Sequence, residues 1–199
     1  GSQKGSLSLA QLHAMIDANE RIKYDTRNRN LLKTRNALLL KFLYLTAARR
    51  SEAANLKWED LHQDGEFQVV ILQQTKSGEP QKLKLRRELF EELECWNETL
   101  KTNQIECEWV FPSLSFRTLG GKMSGKGVND VVSKLGSAIG LKISAHYLRH
   151  TAITLALELG EPLQKVQSYA RHASANTTIR YFHDQQFLEK NPTDRLPMI

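Results

Sequence analysis

Cysteine is scarce in this chain, with two, Cys95 and Cys107, among 199 residues, and they form no CxxC pair. They read as reduced thiols of a cytosolic protein rather than as a disulfide framework. Nothing at the start resembles a signal peptide, and no stretch approaches the roughly 20 consecutive apolar residues that a membrane helix needs. An internal repeat, a low-complexity run and an obvious internal linker are all missing, so the chain reads as one domain. Acidic residues are outnumbered: 22 Asp and Glu stand against 28 Lys and Arg, a net charge of +6, with a pI of about 9.3. That excess suits a polyanionic partner, because each Lys or Arg placed on a phosphate releases counterions, although many basic proteins bind no nucleic acid. What is present is a foldable mixture, 40% hydrophobic and 25% charged, enough to bury a core. The opening Gly1-Ser2 looks like a cloning scar. Residues 1–6 are read as scar or linker, and the chain is expected to be one domain of a longer protein.

The pattern predicts mostly helix with one small sheet. Ser8-Leu9-Ala10-Gln11 fits a capping box, and Leu9, Leu12, Met15 and Ile16 come after it at helical spacing. The polar stretch 19–30 reads as a loop or frayed end. Leu31 to Leu45 is an apolar run of helix formers, and Ser51 is expected to cap a short helix after it. Phe67 to Leu72 and Lys82 to Leu85 read as strands, the second alternating Lys and Leu. Between them, Thr75-Lys76-Ser77-Gly78 is turn-like and places Lys76 at a hairpin tip. Further helices are expected over 86–100, 128–139, 145–159, 162–170 and 174–184, with a loop at Gly125 to Gly127. Fold class is therefore α+β, mostly helical, with a small antiparallel β-sheet.

The chemistry concentrates near the C-terminal end. In His146-Tyr147-Leu148-Arg149-His150-Thr151, His146 and Arg149 lie three apart and share one helix face. A guanidinium is a planar fork that fits phosphate oxygens. An imidazole beside it can donate a hydrogen bond or move a proton. An ordinary ion pair on a solvated face would explain the same hexapeptide. Next come Arg171-His172 and Thr177-Thr178-Ile179-Arg180-Tyr181. A tyrosine is a poor nucleophile at its free pKa near 10 and needs cations to stabilise its phenolate and the charge building on its target. Read alone, Tyr181 could equally be a half-buried aromatic. His146 and His150 have a spacing that can hold zinc, but no HExxH glutamate and no cysteine pair accompany them, so no metal is expected.

Taken together and in order, these boxes resemble the tyrosine recombinase (phage integrase) family, specifically its catalytic domain. Thr46-Ala47-Ala48-Arg49-Arg50-Ser51-Glu52 is similar to its first-arginine box, and Leu56-Lys57-Trp58-Glu59-Asp60-Leu61 to the family's next segment. Lys76 is similar to the family's β-hairpin lysine. His146 and Arg149 match its His-x-x-Arg-His box, His172 its second histidine, and Tyr181, nine positions on, its nucleophile. The resemblance covers about Leu31 to His183. Ala47 and Arg171 stand where the family usually has glycine. The first change is expected to alter only a turn, and Arg171 to touch DNA or face water.

The resemblance implies cleavage and rejoining of double-stranded DNA through a 3′-phosphotyrosine on Tyr181, with no cofactor. Arg49 and Arg149 would clamp the non-bridging oxygens, Lys76 protonate the leaving 5′-oxygen, His146 assist the tyrosine, His172 hydrogen-bond the phosphate and Glu52 orient its neighbours. The catalytic unit is expected over 7–184. The tail, 185–199, carries apolar Phe187 and Leu188 in a mostly polar stretch; they either pack in cis on their own domain or, once DNA is bound, dock on a neighbouring subunit. A homotetramer on paired sites is implied, with the isolated domain a monomer, located in the cytoplasm on the nucleoid. The Thr-Lys-Ser-Gly wording leans toward mobile-element integrases. Two other classes share these residues: a type IB topoisomerase, set apart by relaxing supercoiled DNA without a specific site, and a catalytically silent DNA-binding module.

Overall fold

A computed structural model describes residues 5–73, 75, 78–171 and 185–199, with backbone alone at 185 and 186. Lys76, His172, Tyr181 and the helix expected over 174–184 lie outside the described residues. Helix α1 (Leu9–Arg21) opens on the expected capping box: Ser8 Oγ accepts from the Gln11 N–H at 3.1 Å and Gln11 Oε1 from the Ser8 N–H at 2.9 Å. Helix α2 (Arg29–Thr46) is the central element. Its apolar run buries Leu39, Leu40, Phe42, Leu43, Tyr44 and Leu45 completely, because α1, α4, α5 and α6 surround it. It ends where Ala47 turns left-handed, at φ 55°.

Helix α3 (Arg50–Ala54) comes immediately after. Its N-terminus differs from expectation. The cap is not Ser51, which lies inside the helix. The Glu52 carboxylate instead reaches back to the Arg49 N–H at 2.8 Å, and an acidic side chain there also suits the positive end of the helix.

The sheet has three strands in the order β1 (Leu61–Asp64), β2 (Phe67–Leu72) and β3 (Gln81–Leu85), all antiparallel. Val70 faces Leu83 and Leu72 faces Gln81. Strand β1 is not among the expected elements, since its sequence, Leu-His-Gln-Asp, carries one apolar residue and lies at the sheet edge. In the β2–β3 turn the Gly78 N–H donates to the Thr75 carbonyl at 3.0 Å, with Gly78 at φ 80°.

Helix α4 (Arg87–Thr102) buries Leu89, Leu93, Trp96 and Leu100, and the Trp96 indole donates to the Val110 carbonyl at 2.8 Å. Helix α5 (Gly125–Ser137) starts earlier than the glycines suggest. Ser124 Oγ accepts from the Gly127 N–H at 2.9 Å, and this cap recruits the expected loop into the first turn. Helices α6 (Ala145–Glu158), α7 (Leu163–Ala170) and α8 (Gln185–Glu189) are the remaining α-helices among the described residues. No helix among the described residues is long and apolar enough to cross a membrane.

The tail packs in cis in this structure. Leu188 and Leu196 are each 1% exposed. Arg86 Nη1 donates to the Thr193 and Leu196 carbonyls at 2.8 and 2.6 Å. The Tyr44 hydroxyl donates to the Pro197 carbonyl at 2.9 Å, and Lys84 Nζ to Asp194 at 2.7 Å.

Candidate active site

A cleft of about 700 Å³ opens beside the α2–α3 turn, lined by Arg49, Arg50, Asn129, Ser144, His146 and Arg149 among others. The two arginines expected to share a phosphate therefore meet in one cleft, although they come from distant parts of the sequence. Arg49 enters it from the N-cap of α3, with its side chain 28% exposed. His146 and Arg149 enter from the first turns of α6, His146 exposed and Arg149 3% exposed. The start of α6 is fixed by Asn129 of α5, whose Oδ1 accepts from the Ala145 N–H at 2.8 Å. Sequence spacing carries no sign of this cap, because Ser144 stands at the usual position and makes no side-chain cap bond.

Arg149 is held by backbone. Its Nη1 donates to the Ala47 carbonyl at 2.6 Å and its Nη2 to the Ala170 carbonyl at 2.5 Å. Burial, with repulsion from Arg171 and Arg49, pulls its pKa down to about 10, so it stays protonated at neutral pH. Both acceptors sit beside left-handed residues: Ala47 itself, and Arg171 at φ 60°, which comes directly after Ala170. These are the two positions at which the sequence resemblance implies glycine. Each side chain in that conformation costs about 1–2 kcal/mol, but the turns remain.

Arg171 neither faces water nor reaches outward, contrary to expectation. It is 6% exposed and clasps Glu52 from both ends of its fork, Nη1 to Oε2 at 2.6 Å and Nη2 to Oε1 at 2.8 Å. Nη1 also donates to Gln81 Oε1 of β3 at 3.0 Å. Arg49 Nη1 lies 3.5 Å from the same carboxylate. Burial alone would raise the Glu52 carboxyl, but the hydrogen bonds and charge of Arg171, with the N–H and charge of Arg49, hold it below the ordinary carboxylate range. Glu52 thus contacts Arg49 and Arg171 directly. The one sequence signal for Arg171 is its replacement of glycine at a helix end. Its partner, Glu52, is too far away in the sequence to be read as such. Two arginines, Arg49 and Arg171, share the Glu52 carboxylate, and Arg149 lines the cleft beside them, an excess of positive charge chemically suited to a phosphate diester.

Residues 6–187 match the Phage integrase family. The chain is 33% identical over 147 residues to the tyrosine recombinase XerA of Pyrococcus horikoshii, covering 74% of this chain and 50% of that protein. It is 31% identical over 173 residues to a tyrosine recombinase of Synechococcus elongatus, covering 85% and 53%. The chain thus spans about half the length of these relatives. Among solved structures, the XerH site-specific recombinase bound to palindromic difH substrate in a post-cleavage complex superposes with a TM-score of 0.69 at 25% identity, covering 96% of this chain and 52% of that one. The XerA recombinase crystal structure gives 0.67 at 22% identity over the whole of this chain and 68% of that one, a likeness of fold. By sequence and by fold, the chain belongs to the phage integrase family of tyrosine recombinases.

Proposed function

We propose that this chain is the catalytic domain of a site-specific DNA recombinase, cleaving and rejoining double-stranded DNA through a 3′-phosphotyrosine on Tyr181. The observation that carries it is the convergence of Arg49 and Arg149 on one cleft with His146 beside them. Attack on a phosphodiester builds negative charge on the two non-bridging oxygens. Preorganised guanidinium donors stabilise that charge without reorganising. Arg149, fixed by two carbonyls, is such a donor. The Tyr181 oxygen bonds to phosphorus as the bond to the 5′-oxygen breaks, and Lys76 gives that oxygen its proton. His146 takes the proton of the tyrosine hydroxyl, and His172 hydrogen-bonds the phosphate. The phosphotyrosine keeps the energy of the broken ester, so a free 5′-hydroxyl reverses the step without ATP.

XerH, whose solved complexes hold difH DNA, is the precedent for DNA as partner. Assembly as a tetramer on paired sites extends the reading, as does a tail that leaves its cis position to dock on a neighbour when DNA is bound. A photo-crosslinking residue at Phe187 should then link subunits in the presence of DNA. The reaction is tested with a pool of nicked duplexes of randomised core sequence. The chain should capture some as covalent adducts, with the DNA on Tyr181 by peptide mass. Tyr181→Phe should form none and keep its DNA affinity. An adduct from Tyr181→Phe would end the assignment.

A further inference from the structure

We propose that Arg171 is a positioning residue of the recombination reaction, a buried clasp that fixes the first-arginine box against the end of α7. The inference rests on the recombinase reading. Three observations converge on Arg171. It is the residue immediately before His172 in the sequence, so whatever fixes its backbone fixes where the next residue starts. Its guanidinium joins three separate elements: α7, which it ends, α3 through both oxygens of Glu52, and β3 through Gln81 Oε1. The same Glu52 carboxylate accepts the Arg49 N–H and lies 3.5 Å from Arg49 Nη1. One carboxylate therefore couples Arg49 to the chain leading into His172.

The arrangement is costly in a way that stability alone does not explain. A buried cation is expensive unless fully paired, and Arg171 Nε finds no acceptor among the described residues. The backbone sits at φ 60°, ψ 39°, a conformation that glycine adopts freely and arginine does not. Glycine would fit here without strain but would leave Glu52 tied to the Arg49 side alone. A two-ended fork sets both distance and angle between the parts it joins. A shift of this frame would move Arg49 and His172 relative to Arg149, and small misplacements of reacting groups are expensive in rate.

The test uses the wild-type chain and the nicked duplexes that it captures from the randomised pool. Arg171→Gly removes the clasp and the strain together. At saturating DNA its adduct-forming rate should fall at least tenfold, while its dissociation constant for the same uncleaved duplex changes by less than about threefold. Arg171→Lys keeps the charge without the fork and should recover part of the rate. Glu52→Gln should slow cleavage too, and the double variant Arg171→Gly with Glu52→Gln should be no slower than the worse single variant, because the pair acts as one unit. Thermal unfolding shows which variants are folded. If Arg171→Gly does not fold, Arg171→Lys alone decides, by a reduced rate at unchanged affinity. An Arg171→Gly or, failing that, an Arg171→Lys protein that cleaves at the wild-type rate overturns the proposal. So do independent, multiplicative losses in the double variant. A wild-type chain that captures no duplex sinks the recombinase reading itself and the proposal with it.

Discussion

Replacing Arg149 with alanine separates what this residue does for the fold from what it does for the reaction. In the fold it supplies two short hydrogen bonds, to the carbonyls of Ala47 and Ala170. Bonds from a charged donor contribute about 1.5–3 kcal/mol each. Against them stand the burial of the guanidinium and the repulsion from Arg171 and Arg49 that together depress its pKa. The substitution also opens the carbonyls to water in the adjoining cleft. The net loss of stability should therefore be about 2 kcal/mol, a fall in Tm of about 4–8 °C for a chain of this size. In the proposed reaction it would supply a donor to the developing phosphorane, and losing one such donor costs about 3 kcal/mol, roughly 150-fold in rate. Thermal unfolding reads the first number. Single-turnover adduct formation at saturating DNA, well below the variant's Tm, reads the second. Arg149→Lys should fall between, since one ammonium cannot reach both carbonyls and a phosphate. Wild-type cleavage per folded molecule of Arg149→Ala would refute the clamp, and so would a rate loss matching only the fraction unfolded.

Lys76→Ala should cleave normal DNA poorly but recover on a substrate with a 5′-thio leaving group, because sulfur leaves without a proton; no recovery would move the acid role to His146. Glu52 gives a pH dependence: its folded carboxyl is held below its unfolded value near 4.3, so the stability it contributes is full above that value and is lost as pH falls below it. Acid unfolding of Glu52→Gln should lack that part of the slope, and an unchanged pH profile would show the Arg171 clasp to be unimportant to the fold. Arg86→Ala strands the Thr193 and Leu196 carbonyls; the tail should become sensitive to protease and the Tm should fall by several degrees, and a tail that stays protected would mean its apolar contacts suffice.

Long, strongly patterned segments are legible in the sequence. The Ser8 capping box, the buried run of α2 and the four buried positions of α4 can be read from residue spacing, and all three appear as read. Local competition is harder. Strand β1 is a four-residue edge whose pairing with β2 supplies the stability that its own composition lacks. The start of α5 turns on one serine outweighing two glycines. At α3 a carboxylate three residues in displaces the expected serine cap. The cleft is legible only as a set of boxes: order and spacing bring Arg49, His146 and Arg149 forward, while Asn129, which caps α6, and the Ala47 and Ala170 carbonyls, which hold Arg149, leave no mark in a single sequence. Arg171 defies its sequence reading because burial of a charge depends on a partner from another element, here Glu52.

The end of α2 explains why cations gather at this point of the fold. The last carbonyls of a helix have no partner within it and carry partial negative charge. Here the Leu45 carbonyl accepts from the hydroxyls of Tyr169 and Thr193 at 2.6 and 2.7 Å. The left-handed Ala47 carbonyl accepts from Arg149, with Arg171 Nη2 at 3.5 Å. Donors from α6, α7 and the tail thus converge on one helix end. The two central arginines are nevertheless held in different ways. Arg171 is neutralised by Glu52, a full negative charge. Arg149 is held by two carbonyls, which are dipoles without net charge, so they fix its orientation and leave its positive charge uncancelled. A group that must stabilise an incoming phosphate needs that second arrangement, because a carboxylate partner would cancel the charge before the substrate arrived. On the proposed reading, the division gives Arg171 the work of holding and leaves the charge of Arg149 for the phosphate.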